Sequence, residues 1–170
     1  MKNNKVKLMC LSGVFAALVF VFTAYLHIPS HTGYTHIGDG FIYLAACLLP
    51  LPYAAAVGAT GALLADCLTG YAMWAPASVV IKAVSVFCFS SRGDKIVNFR
   101  NILGLIPACL LCVGGYYLYE ALITGNFSAP LAAIPGNISQ VVFSSAFFIV
   151  VGMAMDKFKA KDLISKGIGR

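Results

Sequence analysis

From Phe41 to Ser91 the chain runs for 51 residues with only two charged side chains, Asp66 and Lys82. A helix crosses the hydrocarbon core of a bilayer in about 20 residues, so this stretch has the length of about two and a half crossings. The remainder agrees with it. Hydrophobic residues make up 60% of the 170 and charged residues 11%, against about 25% charged in an ordinary soluble domain. These values exclude a soluble globular domain, a disordered chain and a disulfide-stapled secreted module, and leave a polytopic membrane protein.

The basic residues orient it. The formal net charge is +6, and eleven of the twelve bases fall in three polar segments. These are Lys2, Lys5 and Lys7; Arg92, Lys95 and Arg100; and Lys157, Lys159, Lys161, Lys166 and Arg170. Cytoplasmic loops collect Lys and Arg, so all three segments are expected inside. The basic excess then reports topology and anionic lipid, with no nucleic acid as partner. The first 28 residues have the basic start and apolar core of a signal peptide. The run from Leu8 to His27 is longer than a signal core, however, and no A-x-A site follows it, so it reads as the first membrane helix.

Parity supplies the number of crossings. With the N-terminus and the 92–100 loop both inside, an even number of helices separates them, which leaves three short ones for 41–91. Pro50-Leu51-Pro52 breaks the chain once, because proline removes a donor and clashes with the preceding turn. Thr69-Gly70-Tyr71, followed by Pro76, breaks it again, and Thr124-Gly125-Asn126, followed by Pro130, Pro135 and Gly136, divides the last apolar region. The expectation is an all-α membrane protein, a single integral domain over 1–170 with both termini cytoplasmic. Its six transmembrane helices lie near 8–28, 39–50, 53–70, 75–91, 101–123 and 135–156. The tail after Asp156 is short and basic and is expected at the membrane surface.

Small side chains let helices approach in lipid. The third helix carries Ala54, Gly58 and Ala62, with Ala55 and Ala59, and Gly61 and Ala65, which reads as internal packing. The first helix carries Ser12 and Ala16, and Gly13 and Ala17, a stripe open either to internal packing or to a partner membrane protein. The six cysteines all sit in apolar runs, and the lone Cys109/Cys112 pair reads as small buried helix residues rather than a metal or redox site.

Ionisable groups inside a bilayer are costly and mark candidate sites. Asp39, Asp66, Lys82 and Glu120 all fall in the outer half on this topology, as do Asn137 and Gln140. An ion path needs polar groups at every depth, whereas this distribution suits a cup open to the outside over a dry inner half. The even-numbered helices point their N-termini, with unpaired N–H groups, at the cup. Together with Lys82 this favours an anionic group on a ligand. The alternative is that Lys82 pairs with Asp66 or Glu120 and ties helices together. Tyr34, Tyr43, Tyr71, Trp74, Tyr116 and Tyr119 are placed at outer ends, most of them as an interfacial belt. Trp74, the only tryptophan, stands in a short outer loop where it can cover a ligand. The loop from His27 through His31 and His36 to Asp39 reads as a structured lid dipping into the bundle, with zinc binding the lesser alternative. Walker A, G-x-S-x-G and H-E-x-x-H signatures are missing, so neither ATP hydrolysis nor the common intramembrane hydrolase chemistry is indicated, and no cofactor is expected.

Six helices in this length, inside termini, the small-residue stripe and the outer loop resemble the substrate-binding S component of energy-coupling factor (ECF) vitamin transporters. The run His36-Ile-Gly-Asp-Gly-Phe-Ile-Tyr-Leu-Ala-Ala-Cys-Leu-Leu-Pro50, continuing through Gly58, Gly61 and Asp66, is similar to the second and third helices of that family. The resemblance implies a non-enzymatic bacterial plasma-membrane protein that captures a vitamin or precursor from outside. It implies association with a transmembrane coupling subunit, through Ser12, Gly13, Ala16 and Ala17, and with two cytoplasmic ATPases. It implies a pocket drawing on His36, Asp39, Trp74, Lys82, Glu120, Asn137 and Gln140. The Met-His start of nickel and cobalt members is absent, which argues against a metal substrate, and one tryptophan cannot build the stacked set of thiamine-type pockets. The competing readings are a stand-alone secondary carrier and a small intramembrane enzyme using Asp39, Asp66 or the His cluster.

Overall fold

A computed structural model describes residues 2–30 and 33–167. Helix α1 spans Lys2–Ala24 and is followed by a two-stranded antiparallel hairpin, β1 (His27–Ser30) and β2 (Gly33–His36), in which His27 pairs with His36. Then come α2 (Gly38–Leu48), α3 (Leu51–Leu68), α4 (Ala75–Ser85, extended by a 3-10 turn through Cys88), α5 (Phe99–Thr124), α6 (Ile134–Lys157) and α7 (Ala160–Gly167).

Local chemistry sets the boundaries. Proline stands in the first turn of α3, α4 and α6, where its missing N–H costs nothing. Asn98 caps α5, its side chain accepting from the Asn101 N–H at 3.0 Å. Gly125 ends that helix at φ 64°, the left-handed conformation that glycine adopts without a Cβ penalty. The first helix was expected to run to residue 28. It stops at Ala24, because residues 27–30 spend their backbone groups on the hairpin partner.

Among the described residues, four helical segments are long and apolar enough to cross a membrane: 4–24, 51–68, 99–124 and 129–157. Two apolar segments, 38–48 and 72–88, are shorter. Helix α2 rises only about 16 Å over its 11 residues, roughly half the hydrocarbon thickness. Every one of its residues is buried, and it packs against α1, α3 and α6. A central helix shielded by its neighbours has no lipid-facing surface to maintain, and its free backbone ends meet protein rather than hydrocarbon. The small face of α3 is internal, as expected. Gly58 sits so close to α4 that a Cβ there would stand 2.8 Å from the Lys82 carbonyl oxygen.

The three basic segments meet at one end of the bundle. Lys7 Nζ donates to the Gly167 carbonyl at 2.9 Å, and Lys161 Nζ donates to that of Gly93. The tail that was expected at the membrane surface forms α7 here. This end is closed. Tyr43 stacks on Phe89 at 4.6 Å and meets Phe148 edge-on at 6.1 Å, so Tyr43 is a core residue and not part of an interfacial belt. Asn101, fully buried, accepts from Ser90 N–H at 2.8 Å and donates to the Ser90 and Ile96 carbonyls at 3.1 and 2.9 Å. The Asp156 carboxylate accepts from the Ile96 and Val97 N–H groups at 2.7 and 2.9 Å, binding the loop before α5 to the end of α6.

Candidate ligand-binding site

The other end of the bundle holds a cavity of about 740 Å³ with its open mouth counted, a volume within the usual range for a small-molecule site. Every main element reaches it from the end opposite the basic segments. The last turns of α1 contribute Val19 and Thr23, β2 contributes His36, and the first turns of α2 contribute Asp39 and Ile42. Asp66 comes from the end of α3, Trp74 from the turn before α4, and Ser78 and Lys82 from α4 itself. Tyr116 and Glu120 come from α5, and Asn137 and Gln140 from the start of α6. All seven residues singled out in the sequence as a pocket, His36, Asp39, Trp74, Lys82, Glu120, Asn137 and Gln140, therefore surround one space.

The geometry explains how they are held. The hairpin dips into the bundle: Thr35 Oγ1 donates to the Gly136 carbonyl at 3.4 Å, and Ser144 Oγ donates to that of His36 at 3.2 Å. His36 Nδ1 accepts from the Gly38 N–H at 3.1 Å, which leaves the proton on the other nitrogen of the neutral ring. Burial away from water lowers the His36 imidazole to about 4, against the raising influence of Asp39. Gly38 itself is constrained, because a Cβ there would collide with Thr23 Oγ1.

At the floor, Lys82 Nζ lies 2.7 Å from Asp39 Oδ2, with both side chains almost wholly buried. Gln140 Nε2 donates to the same oxygen at 3.0 Å. The sequence offered Asp66 or Glu120 as the pairing partner of Lys82, and the structure corrects this to Asp39. The cause is side-chain direction. Helical side chains lean toward their own N-terminus, and both helices begin at the cavity end, so Lys82 reaches back to the first turn of α2. No spacing signal marks a contact between positions 43 residues apart. The argument for an anionic ligand assumed an unspent ammonium, and that charge is already met. Three carboxylates and one ammonium line the cavity, a balance that does not favour an anion.

The wall is aromatic. The Trp74 ring lies 6.2 Å from Tyr116 and 5.9 Å from Tyr119, and Tyr119 OH donates to the Met73 carbonyl at 2.6 Å, fixing the turn that carries the indole. Tyr116 OH shares a hydrogen bond with Ser78 Oγ at 2.8 Å, and Lys82 Nζ stands 5.2 Å from its ring centroid. Tyr116 was read from sequence as belt, and Thr23 and Ser78 were not singled out at all. The only signal for Tyr116 and Ser78 was a polar or amphipathic side chain on the helix face that also bears Glu120 or Lys82. Among the described residues no three His, Cys, Asp or Glu side chains are grouped as a metal site, and His31 lies outside those residues.

The stripe on α1 divides. Gly13 and Ala17 are exposed, with open space beside Gly13. Ser12 and Ala16 are half-buried, and the Ala16 carbonyl lies beside Gly61 of α3.

A helical membrane bundle closed at its basic end, where Asn101 and Asp156 are spent on the chain's own backbone, and hollow at the other is built to bind rather than to conduct. The family described as ECF-type riboflavin transporter, S component, matches residues 3–157, and the chain belongs to that family of multi-pass membrane transport components, which are transporter subunits rather than enzymes. No match is found among curated proteins.

Proposed function

We propose that this chain is the substrate-binding subunit of an ECF-type importer and that it captures riboflavin or a close flavin from outside the cell. The observation that carries the reading is the convergence of the seven pocket residues on one cavity at the end away from the basic segments. A flat, uncharged ring system with many hydrogen-bonding edges suits the aromatic wall of Trp74 and Tyr116 and a floor whose ammonium is already paired. A polyol chain suits the amide and carboxylate groups of Asn137 and Glu120.

In this reading the basic end faces the cytoplasm, and all six apolar helices count as crossings in one integral domain with both termini inside, in a bacterial plasma membrane. The N-terminal helix meets the transmembrane coupling subunit, which works with two cytoplasmic ATPases. Gly13 and Ala17 form the exposed edge of that contact, with Ser12 and Ala16 beneath. Ala17→Trp is expected to abolish energised uptake and co-purification of the coupling subunit while flavin affinity stays within twofold of wild type. Lost affinity with assembly intact would assign the stripe to internal packing.

The experiment for the function is uptake of labelled riboflavin by cells expressing the chain with and without the coupling subunit and ATPases. Uptake only with the full set, together with flavin bound by the purified chain alone, is the expected pair of results. Transport by the chain alone in liposomes would make it a secondary carrier.

A further inference from the structure

The Asp39 carboxylate is used on one side only. Its Oδ2 accepts from both Lys82 and Gln140, while its Oδ1 is buried with no hydrogen-bond partner among the described residues. The residue is 2% exposed and sits in the first turn of the fully buried α2. An ionised oxygen left in that state is costly, and buried polar groups nearly always find partners. Here the unpartnered oxygen belongs to a side chain that lines the cavity. The torsion about the carboxylate carbon is broad, so a small rotation turns Oδ1 toward a donor arriving from the cavity.

The neighbours of this acceptor are both donors. Gln140 spends one amide N–H on Asp39, and its side chain makes no other hydrogen bond among the described residues. Lys82 carries three N–H groups; apart from Asp39, its only further contact of this kind among the described residues is a long one of 3.9 Å to Cys112 Sγ. The floor thus presents one acceptor accompanied by two donors. Its complement is an N–H flanked by two carbonyl groups, the edge of a cyclic imide.

We propose that Asp39 is the specificity-determining residue of the site and that the ligand enters imide edge first. Its N–H donates to Asp39 Oδ1, and its two carbonyls accept from Lys82 and Gln140. The inference rests on the flavin reading, since the isoalloxazine ring carries one such edge, the N3–H between the C2 and C4 carbonyls. Bound this way, the ring system passes along Tyr116 and Trp74, and the ribityl chain points to the mouth.

Chemical probes test this on the unaltered protein. Riboflavin, N3-methylriboflavin and lumiflavin, which keeps the imide edge and lacks the ribityl chain, are titrated against the purified full chain. N3-methylation is expected to weaken binding by about 100-fold or more, because a site built to accept a hydrogen bond rejects an analogue lacking it. Lumiflavin is expected to stay within roughly tenfold of riboflavin, about one hydrogen-bonded contact's worth. N3-methylriboflavin binding within threefold of riboflavin would overturn the imide-first orientation and leave the flavin reading standing. Failure of riboflavin itself to bind would overturn the flavin reading and this inference with it. A Gln140→Leu variant with an unchanged melting temperature is expected to bind riboflavin about tenfold more weakly and N3-methylriboflavin no differently from wild type; equal losses for both ligands would also overturn the orientation.

Discussion

The two ends of this bundle handle buried polarity in opposite ways. At the closed end, Asn101 satisfies Ser90 and Ile96, and Asp156 satisfies Ile96 and Val97, so the polar side chains there bind the protein's own backbone. Around them lie close-packed rings, Tyr43, Phe89 and Phe148. At the cavity end, polar side chains meet one another across helices, as Lys82, Asp39 and Gln140 do, and Asp39 keeps an oxygen in reserve. The lesson is about where capacity is left over. A seal uses up its hydrogen-bonding groups, whereas a binding site holds some back for a molecule not yet present.

Substitutions at the two ends should therefore separate stability from affinity. The largest effect is expected from Lys82→Met, which strands a buried carboxylate at a cost of about 3–5 kcal/mol. Thermal melting should show it, with ligand binding lost as well, and adding Asp39→Asn should restore most of the stability but not the binding. Melting unchanged by Lys82→Met would mean that the ion pair contributes nothing to the fold. Next is Asn101→Leu at the closed end, which leaves backbone groups of the half-buried Ser90 and the buried Ile96 without their partner. It should destabilise the chain by about 2–4 kcal/mol with flavin affinity unaltered, and a matching loss of affinity would break the separation of the two ends. Trp74→Ala should show the reverse pattern, flavin binding about tenfold weaker, in keeping with one aromatic contact, at a nearly constant melting temperature.

Much of this contrast was legible in the sequence, for a definite reason. Charge and proline are position-specific in membrane chains, so the basic clusters and helix breaks located the elements and assigned the cavity's polar groups to one end, while the buried Asn101 at the other end carries no charge and was not singled out. Packing direction is not written that way. The Lys82–Asp39 pair depends on how two helices face each other, and Tyr43 looks like any outer-end tyrosine until α2 is known to be buried on all sides. The hairpin was hidden for a related reason. Its four-residue strands are too short for an alternating pattern, and His27 and Ile28 continue the apolar run of α1 without a break.

The smallest effect concerns pH. His36 is neutral in the folded chain, with its folded value near 4 against an ordinary 6.5. The unfolded chain takes up a proton below about 6.5 while the folded chain resists until near 4, so stability is fully present above that window and declines as pH falls through it. His36→Gln should flatten the decline between pH 6.5 and 4 in a melting series. A wild-type melting temperature that is level across the window would show that His36 is not shielded from water.

Because Trp74 is the only tryptophan and lines the cavity, the intrinsic tryptophan emission of the whole protein reports on the cavity end alone. Riboflavin is added stepwise to the purified, ligand-free chain while that emission is followed. Saturable quenching that ends at one flavin per chain, without ATP or any other subunit, is the expected result. Undiminished Trp74 emission, with flavin either unbound or bound elsewhere, would contradict the assignment of this cavity as the ligand site.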